Sequence, residues 1–243
     1  MIQSYYKVIS NIKIARDTYK MELAGDTSAF TGPGQFINIK LDGFYLRRPI
    51  SVCDLSVDKL TIIYKVVGKG TEYMTSLGSG VVLDCLVGLG NGYDMTVDSR
   101  RPILIGGGCG LPPLYYLCKK IIEKGKKPIV SLGFNSKDEV FLEEEFLQLT
   151  EDTYVYTVDG SYKEQGYPTE VFDRFEYDYV YTCGPEPMLK AVYRQSKTSG
   201  QYSFEERMGC GFGACMGCTC KTKYGDKRIC KEGPVLVKEE IIW

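Results

Sequence analysis

Over roughly the first 98 residues, apolar and polar positions alternate in short runs separated by turn residues. The runs are KVISNIKIA (7–15), GQFINIKL (34–41) after the Gly32-Pro33-Gly34 turn, RRPISVCD (47–54), KLTIIYKVV (59–67) and SGVVLDCLV (79–87). Strands at such regular spacing predict an antiparallel barrel or sandwich, interrupted by one short helix from about Thr71 to Leu77. From Arg101 the rhythm changes. PILIGGG (102–108), PIVSLGF (128–134), YVYTVDG (154–160) and YDYVYTCGP (177–185) are apolar runs ending in turn residues, and they predict buried strands. Between and after them LPPLYYLCKKIIEKG (111–125), KDEVFLEEEFLQL (137–149) and EPMLKAVYRQSK (186–197) carry a helical pattern. Strands alternating with helices call for a parallel, Rossmann-like α/β sheet. The expected organisation is a β-barrel over 1–98, an α/β domain over 99–199 and a small cysteine-rich module over 200–243.

Composition narrows the chemistry. A hydrophobic content of 44% and a charged content of 25% suit a globular chain with a sizeable core. The formal net charge of −1, with no basic run, removes any general attraction to nucleic acid. The N-terminal MIQSYYKVIS is too polar for a signal peptide, and no stretch of about 18 apolar residues is present to span a bilayer. A cytoplasmic location is expected, where ten cysteines read as metal ligands and small buried residues rather than disulfides. The chain has no histidine. That excludes Rieske ligation, His-containing zinc sites and every Ser-His or Cys-His dyad, so reactivity is expected to come from cofactors.

The most specific motif is ERMGCGFGACMGCTCK…RICKEG, in which Cys210, Cys215, Cys218 and Cys230 are spaced C-x4-C-x2-C-x11-C. The first three keep plant-type ferredoxin spacing, in which one tight loop offers several thiolates to a [2Fe–2S] cluster. Gly209 precedes the first ligand and Gly211, Gly213, Ala214 and Gly217 lie between the first three, and small residues let backbone N–H groups approach cluster sulfurs. A structural zinc site also takes four cysteines, but usually as two separated C-x2-C knuckles rather than three ligands within nine residues. Spacing alone does not exclude Cys220, since an extended segment turns it to the side of Cys218; the plant-type pattern favours Cys218.

Weaker features lie upstream. The turn GGGCGLPPL (106–114), between a strand and a helix, suits phosphate held on backbone N–H groups, and Cys183-Gly184-Pro185 ends a later strand facing the same crevice. In the barrel, Arg47-Arg48-Pro49-Ile50-Ser51 presents an arginine fork and a hydroxyl, and Gly68-Lys69-Gly70-Thr71 opens a helix. Each alone has an ordinary explanation as a solvated face or a structural turn. In this order they resemble the ferredoxin–NADP reductase superfamily. With the cysteine module added, RRPIS, GKGT, LGNGY, GGGCGLPPL, CGPEPMLKAV and CKEGPV resemble the electron-transfer subunits of dihydroorotate dehydrogenase B (NAD+), over nearly the whole chain.

That resemblance implies FAD on the barrel, contacted by Arg48, Pro49, Ile50 and Ser51, lined by Ile63, Tyr64 and Lys65, with Gly70 and Thr71 at the pyrophosphate. Lys65 stands where the family often has arginine, which keeps charge but loses the fork. The resemblance further implies NAD(H) approached by Gly107, Gly108 and Gly110. Cys183 and Gly184 would lie near the nicotinamide, Cys183 being the one candidate catalytic side chain. The four cysteines would ligate [2Fe–2S]. The implied partner is an FMN-containing catalytic subunit that oxidises dihydroorotate in pyrimidine (UMP) biosynthesis, in a heterotetramer of two subunits of each kind. Two rival readings stand beside it: a flavin subunit of an NADH-dependent ferredoxin:NADP reductase or hydrogenase-type complex, and a zinc-stapled binding module without turnover. Lys137, following the strand 128–134, is a candidate partner for a 2′-phosphate, but no arginine pair accompanies it and NADH is expected. Trp243 is expected to pack rather than cover a flavin, Glu143-Glu144-Glu145 to be a solvated helix face, and Cys53, Cys85, Cys109 and Cys118 to be small buried residues.

Overall fold

The computed structural model describes residues 1–243. Six antiparallel strands close the barrel: β1 (Ile2–Ala15), β2 (Thr18–Ala24), β3 (Phe36–Ile39), β4 (Arg48–Ser56), β5 (Lys59–Lys65) and β6 (Val82–Leu89). Their order round the barrel is β1-β2-β5-β4-β3-β6, and helix α1 (Lys69–Met74) leads from β5 toward β6. The alternation along β6, where Leu83, Cys85, Val87 and Leu89 are buried and their neighbours are not, is what a strand with one face on a core requires. β2 has no counterpart among the predicted runs. Its apolar positions Met21 and Leu23 are fully buried, but TYKMELA dilutes them with charged and polar residues, so the run reads weakly.

The α/β domain contributes β7 (Pro102–Gly107), α2 (Leu111–Glu123), β8 (Ile129–Phe134), α3 (Glu143–Leu147), β9 (Thr153–Thr157), a two-residue β10 (Glu164–Gln165), β11 (Tyr179–Cys183), α4 (Glu186–Gln195) and β12 (Gly200–Ser203). Its sheet runs β10-β9-β8-β7-β11-β12 in parallel, and β7 and β8 are buried at every position. Pro112 and Pro113 sit in the first turn of α2, where their missing N–H groups cost no intrahelical bond, and Gly125 (φ +74°) ends the helix in the left-handed region. This helix also reaches the barrel, packing Tyr116 into its core and pairing Lys119 with Asp54 at 2.6 Å.

The single helix expected over 137–149 is broken. A 3-10 turn covers Lys137–Glu139, Val140 is extended, Leu142 is left-handed (φ +62°), and α3 spans five residues. The break lies next to Glu139, whose carboxylate is held by Arg16, Lys65 and Asn135. Glu143 is also less solvated than expected, its side chain largely covered and paired with Lys163 at 3.4 Å.

The cysteine module holds a hairpin of β13 (Thr219–Thr222) and β14 (Gly225–Arg228), followed by β15 (Val235–Val237). β15 pairs antiparallel with β12 and completes a seven-stranded sheet. Residues 200–203 and 235–237 therefore build the α/β sheet although they flank the cysteines in sequence. Asn91 at the end of the barrel fixes the return by bonding Val235 through both its amide atoms (2.7 and 3.1 Å).

Candidate functional site

Two cavities and one loop adjoin. The larger cavity, about 700 Å³, opens at the carboxyl ends of the parallel strands. The turn Gly107–Gly110 after β7, Asn135 after β8, Val158 after β9, and Gly184 with Pro185 after β11 line it. Of the predicted glycines, Gly108 (φ +49°) has free space where a side chain would stand, so a ligand can approach its backbone. Gly107, Gly110 and Gly184 are required by the protein itself. A Cβ on Gly110 would fall 2.1 Å from the Cys183 carbonyl oxygen, one on Gly107 2.8 Å from Met188 Sδ, and one on Gly184 2.6 Å from Met188 Cε. These glycines let the two turns meet.

The second cavity, about 310 Å³, lies against the barrel. Arg48, Pro49, Ile50, Ser51, Ile63, Tyr64, Lys65 and Thr71 all line it, as does Cys183. Gly70 lies beneath Arg48: a Cβ there would sit 2.1 Å from Arg48 Nε. The Arg48 guanidinium lies over the Phe44 ring at 5.0 Å and donates to the Leu46 carbonyl. Arg47, its neighbour, turns the other way and pairs with Asp84 at 3.0 Å. The Thr71 hydroxyl is occupied in its own turn, accepting from the Val67 and Gly68 N–H groups. Lys65 Nζ is bonded to Glu139 Oε1 at 3.0 Å.

Lys65, Val67, Cys109 and Glu205 line both cavities, so the two adjoin. Sequence reasoning missed the last two. Cys109 was expected in the core; it is only partly covered and faces the shared space, whereas Cys53, Cys85 and Cys118 are buried as expected. Burial still pushes its thiol up to about 11. Glu205 projects into the same space, and the surrounding protein raises its carboxyl. Cys183 is buried, and desolvation holds its thiol well above the usual range. These thiols are therefore not thiolate nucleophiles at neutral pH. Glu139, on the wall of the larger cavity, bonds Arg16 (2.6 Å), Lys65 (3.0 Å) and Asn135 (2.9 Å). Burial opposes its charge, but the bonds from Arg16 and Lys65 outweigh that and hold it down at about 2.

The third element is the cysteine loop. Backbone N–H groups of Phe212, Ala214 and Cys215 point at Cys210 Sγ (3.5, 3.2 and 3.4 Å), and Cys210 N–H points at Cys215 Sγ (3.4 Å). Partial burial works against a thiolate at Cys210, yet these donors bring it down to about 6. Gly211 (φ +79°), Gly213 (φ +91°) and Met216 (φ +62°) supply the left-handed turns that aim the donors inward. Cys230 N–H points at Cys218 Sγ (3.4 Å), so the four residues associate as Cys210 with Cys215 and Cys218 with Cys230. A two-iron cluster takes two thiolates on each iron, and the paired, N–H-surrounded sulfurs fit that demand. Cys220 belongs to the hairpin, opposite Lys227, and burial raises its thiol.

The loop adjoins the barrel cavity: Met208 and Pro234 of the module help to wall it. Trp243 packs as expected, stacked on Phe204 at 5.5 Å, and Phe204 is itself a wall of the barrel cavity. Lys137 lies over the Tyr162 ring at 5.6 Å.

Residues 205–242 match the model of the iron–sulfur cluster binding domain of dihydroorotate dehydrogenase B. Proteins named dihydroorotate dehydrogenase B (NAD(+)), electron transfer subunit, are similar over the full length. One from Fusobacterium nucleatum subsp. nucleatum is 43% identical, with 96% of each chain covered, and one from Bacillus pumilus is 42% identical, covering 99% of this chain and 98% of the relative. Among solved structures, a chain from an NADH-dependent reduced ferredoxin-NADP oxidoreductase, described for flavin-based electron bifurcation, superposes with a TM-score of 0.88 at 27% identity, covering 98% of this chain and 90% of that one. Phthalate dioxygenase reductase shares the fold, with a TM-score of 0.68 at 18% identity over 90% of this chain and 71% of that one. With two adjoining cavities, a paired cysteine loop and full-length identity above 40%, the chain belongs to the family of dihydroorotate dehydrogenase B electron-transfer subunits.

Proposed function

We propose that this chain carries electrons between NAD(H) and an FMN-containing subunit that oxidises dihydroorotate, using FAD and a [2Fe–2S] cluster, in pyrimidine biosynthesis. A dinucleotide exchanges hydride and a cluster exchanges single electrons, and a bound flavin connects the two because it does both. The protein's share is placement. Arg48 to Ser51, Ile63 to Lys65, Gly70 and Thr71 form the flavin seat, with the Arg48 fork available for pyrophosphate. The larger cavity seats the dinucleotide, with its pyrophosphate at Gly108 and its nicotinamide toward the Cys183-Gly184 turn. A neutral, buried Cys183 shapes that junction and adds no charge to it. Cys210 and Cys215 hold one iron, Cys218 and Cys230 the other.

What carries this reading is adjacency: the two cavities share Lys65, Val67, Cys109 and Glu205 as walls, and Phe204, Met208 and Pro234 of the cysteine module line the barrel cavity. The dihydroorotate step belongs to the partner, in an assembly of two subunits of each kind. A reducing cytoplasm suits ten free cysteines. Anaerobic reconstitution with the FMN-containing partner tests the reading. Dihydroorotate should then reduce NAD+ only when both subunits are present, and dithionite should produce an S = 1/2 EPR signal from this chain. A second reading, a flavin subunit serving ferredoxin and NADP, is favoured by the 0.88 superposition. Reduction of ferredoxin without any dihydroorotate-dependent turnover would select it.

A further inference from the structure

Asn38 sits on β3 inside the barrel wall, 1% exposed, with Pro49 opposite it on β4 and Leu86 opposite on β6. Its amide nitrogen Nδ2 donates to the carbonyl oxygen of Cys210 at 3.2 Å. The next residue of the loop, Gly211, passes so close that a Cβ there would fall 2.2 Å from the same nitrogen. Asn38 Oδ1 is the chain's one buried side-chain N or O atom without a hydrogen-bond partner. An unpaired buried amide oxygen costs on the order of 1–3 kcal/mol, and an apolar residue of that size would avoid the cost. Stability of the barrel therefore does not account for an asparagine here. Its one side-chain bond goes to the cysteine loop. On the opposite strand Pro49 lines the cavity assigned to the flavin.

We propose that Asn38 is a positioning residue for electron transfer: it pins the backbone of the first cluster ligand to the strand that backs the flavin seat. The inference rests on the cofactor assignment above. Electron tunnelling falls steeply with distance and with loss of a bonded path. A loop of positive-φ glycines has little stiffness of its own. The bond to Asn38 and the tight passage of Gly211 over it supply that stiffness at the ligand nearest the barrel strand. Electrons would pass from the flavin to the cluster one at a time, the second of each hydride pair following once the cluster has handed the first to the partner's FMN, and no bond is made or broken at Asn38.

The test uses the full chain with FAD and cluster, and the variants Asn38→Leu and Asn38→Asp. The first removes both amide atoms; the second keeps the shape but turns an acceptor toward the Cys210 carbonyl. Stopped-flow with NADH separates flavin bleaching from cluster bleaching. Both variants should slow cluster reduction about tenfold or more while flavin reduction keeps its rate, the size seen when partners of metal ligands are changed. Iron content should stay full, and the dithionite-reduced EPR signal should persist with shifted g-values. Asn38→Leu should unfold no earlier than the parent on heating. Unchanged cluster kinetics and g-values in both variants would overturn the proposal. So would equal slowing of both steps, or loss of iron, either of which makes Asn38 a structural residue. Absence of any cluster signal in the parent chain would overturn the cofactor assignment instead.

Discussion

Gly70 and Gly110 are both glycines of predicted binding motifs, but the space around them differs in kind. At Gly70 the obstacle is the Arg48 side chain. Gly70→Ala should displace the fork from its place over Phe44 and weaken FAD binding about tenfold, read by fluorescence titration of the apoprotein, without unfolding the barrel. At Gly110 the obstacle is the backbone of Cys183 and Gly184, which cannot swing away. Gly110→Ala should cost about 3 kcal/mol and abolish reduction of the flavin by NADH, because the two turns are forced apart. The cysteines divide in the same manner. Cys215→Ser removes a proposed ligand, whose sulfur accepts the Cys210 N–H, so iron and the EPR signal should be lost while FAD stays. Cys220→Ser, in the hairpin, should leave iron content and signal unchanged.

The segment between β8 and α3 departs from the predicted element. Periodicity over 137–149 predicts one helix, and the sequence has no breaker there. At the break Glu139 binds Arg16 at the end of β1, Lys65 at the end of β5 and Asn135 at the end of β8. It thereby straps the barrel to the α/β domain across the cavity mouth, reinforced by Arg16 N–H donating to the Asp138 carbonyl at 2.7 Å. Glu139→Gln should lower stability at pH 7 by about 2 kcal/mol, the order of charge-assisted bonds to a covered carboxylate, seen as an earlier denaturant midpoint. Its pH dependence has a definite sign. The unfolded carboxyl takes its proton near 4.5 and the folded one only near 2. The strap is thus at full strength above about pH 4.5 and is lost as pH falls from there to about 2; the glutamine variant should lack this part of the acid sensitivity.

At the scale of the molecule, the three parts do not stack as separate beads. β15 closes the α/β sheet after the cysteine loop has crossed to the barrel, and α2 packs on both sheets. This interleaving brings the two cavities and the cysteine loop side by side within one body. The charged side chains lining the larger cavity are Lys65, Glu139 and Glu205, and Lys65 is already bonded to Glu139. A 2′-phosphate would find no unpaired cation among them, and Lys137 lies over Tyr162. NADH should therefore reduce the flavin at least about tenfold faster than NADPH at equal concentration, the scale of one missing charge-assisted contact.

Local pattern alone determined much of this protein. Strand alternation announced an antiparallel barrel or sandwich, the change of rhythm at Arg101 announced a parallel sheet, and the cysteine run announced a loop that tolerates left-handed turns. These are properties of neighbours along the chain, which periodicity and spacing record. The tertiary structure decided what depends on residues far apart. β2 forms because Met21 and Leu23 find a barrel interior, despite a polar sequence. The segment 137–149 is broken where Glu139 meets Arg16, 123 residues away. Cys109 and Glu205 enter the site because a turn and a connecting segment converge on the same space. Asn38 acquires its role only when Cys210, 172 residues later, is laid against it. Burial and ion pairing act through space, so no local pattern encodes them until the chain has closed on itself.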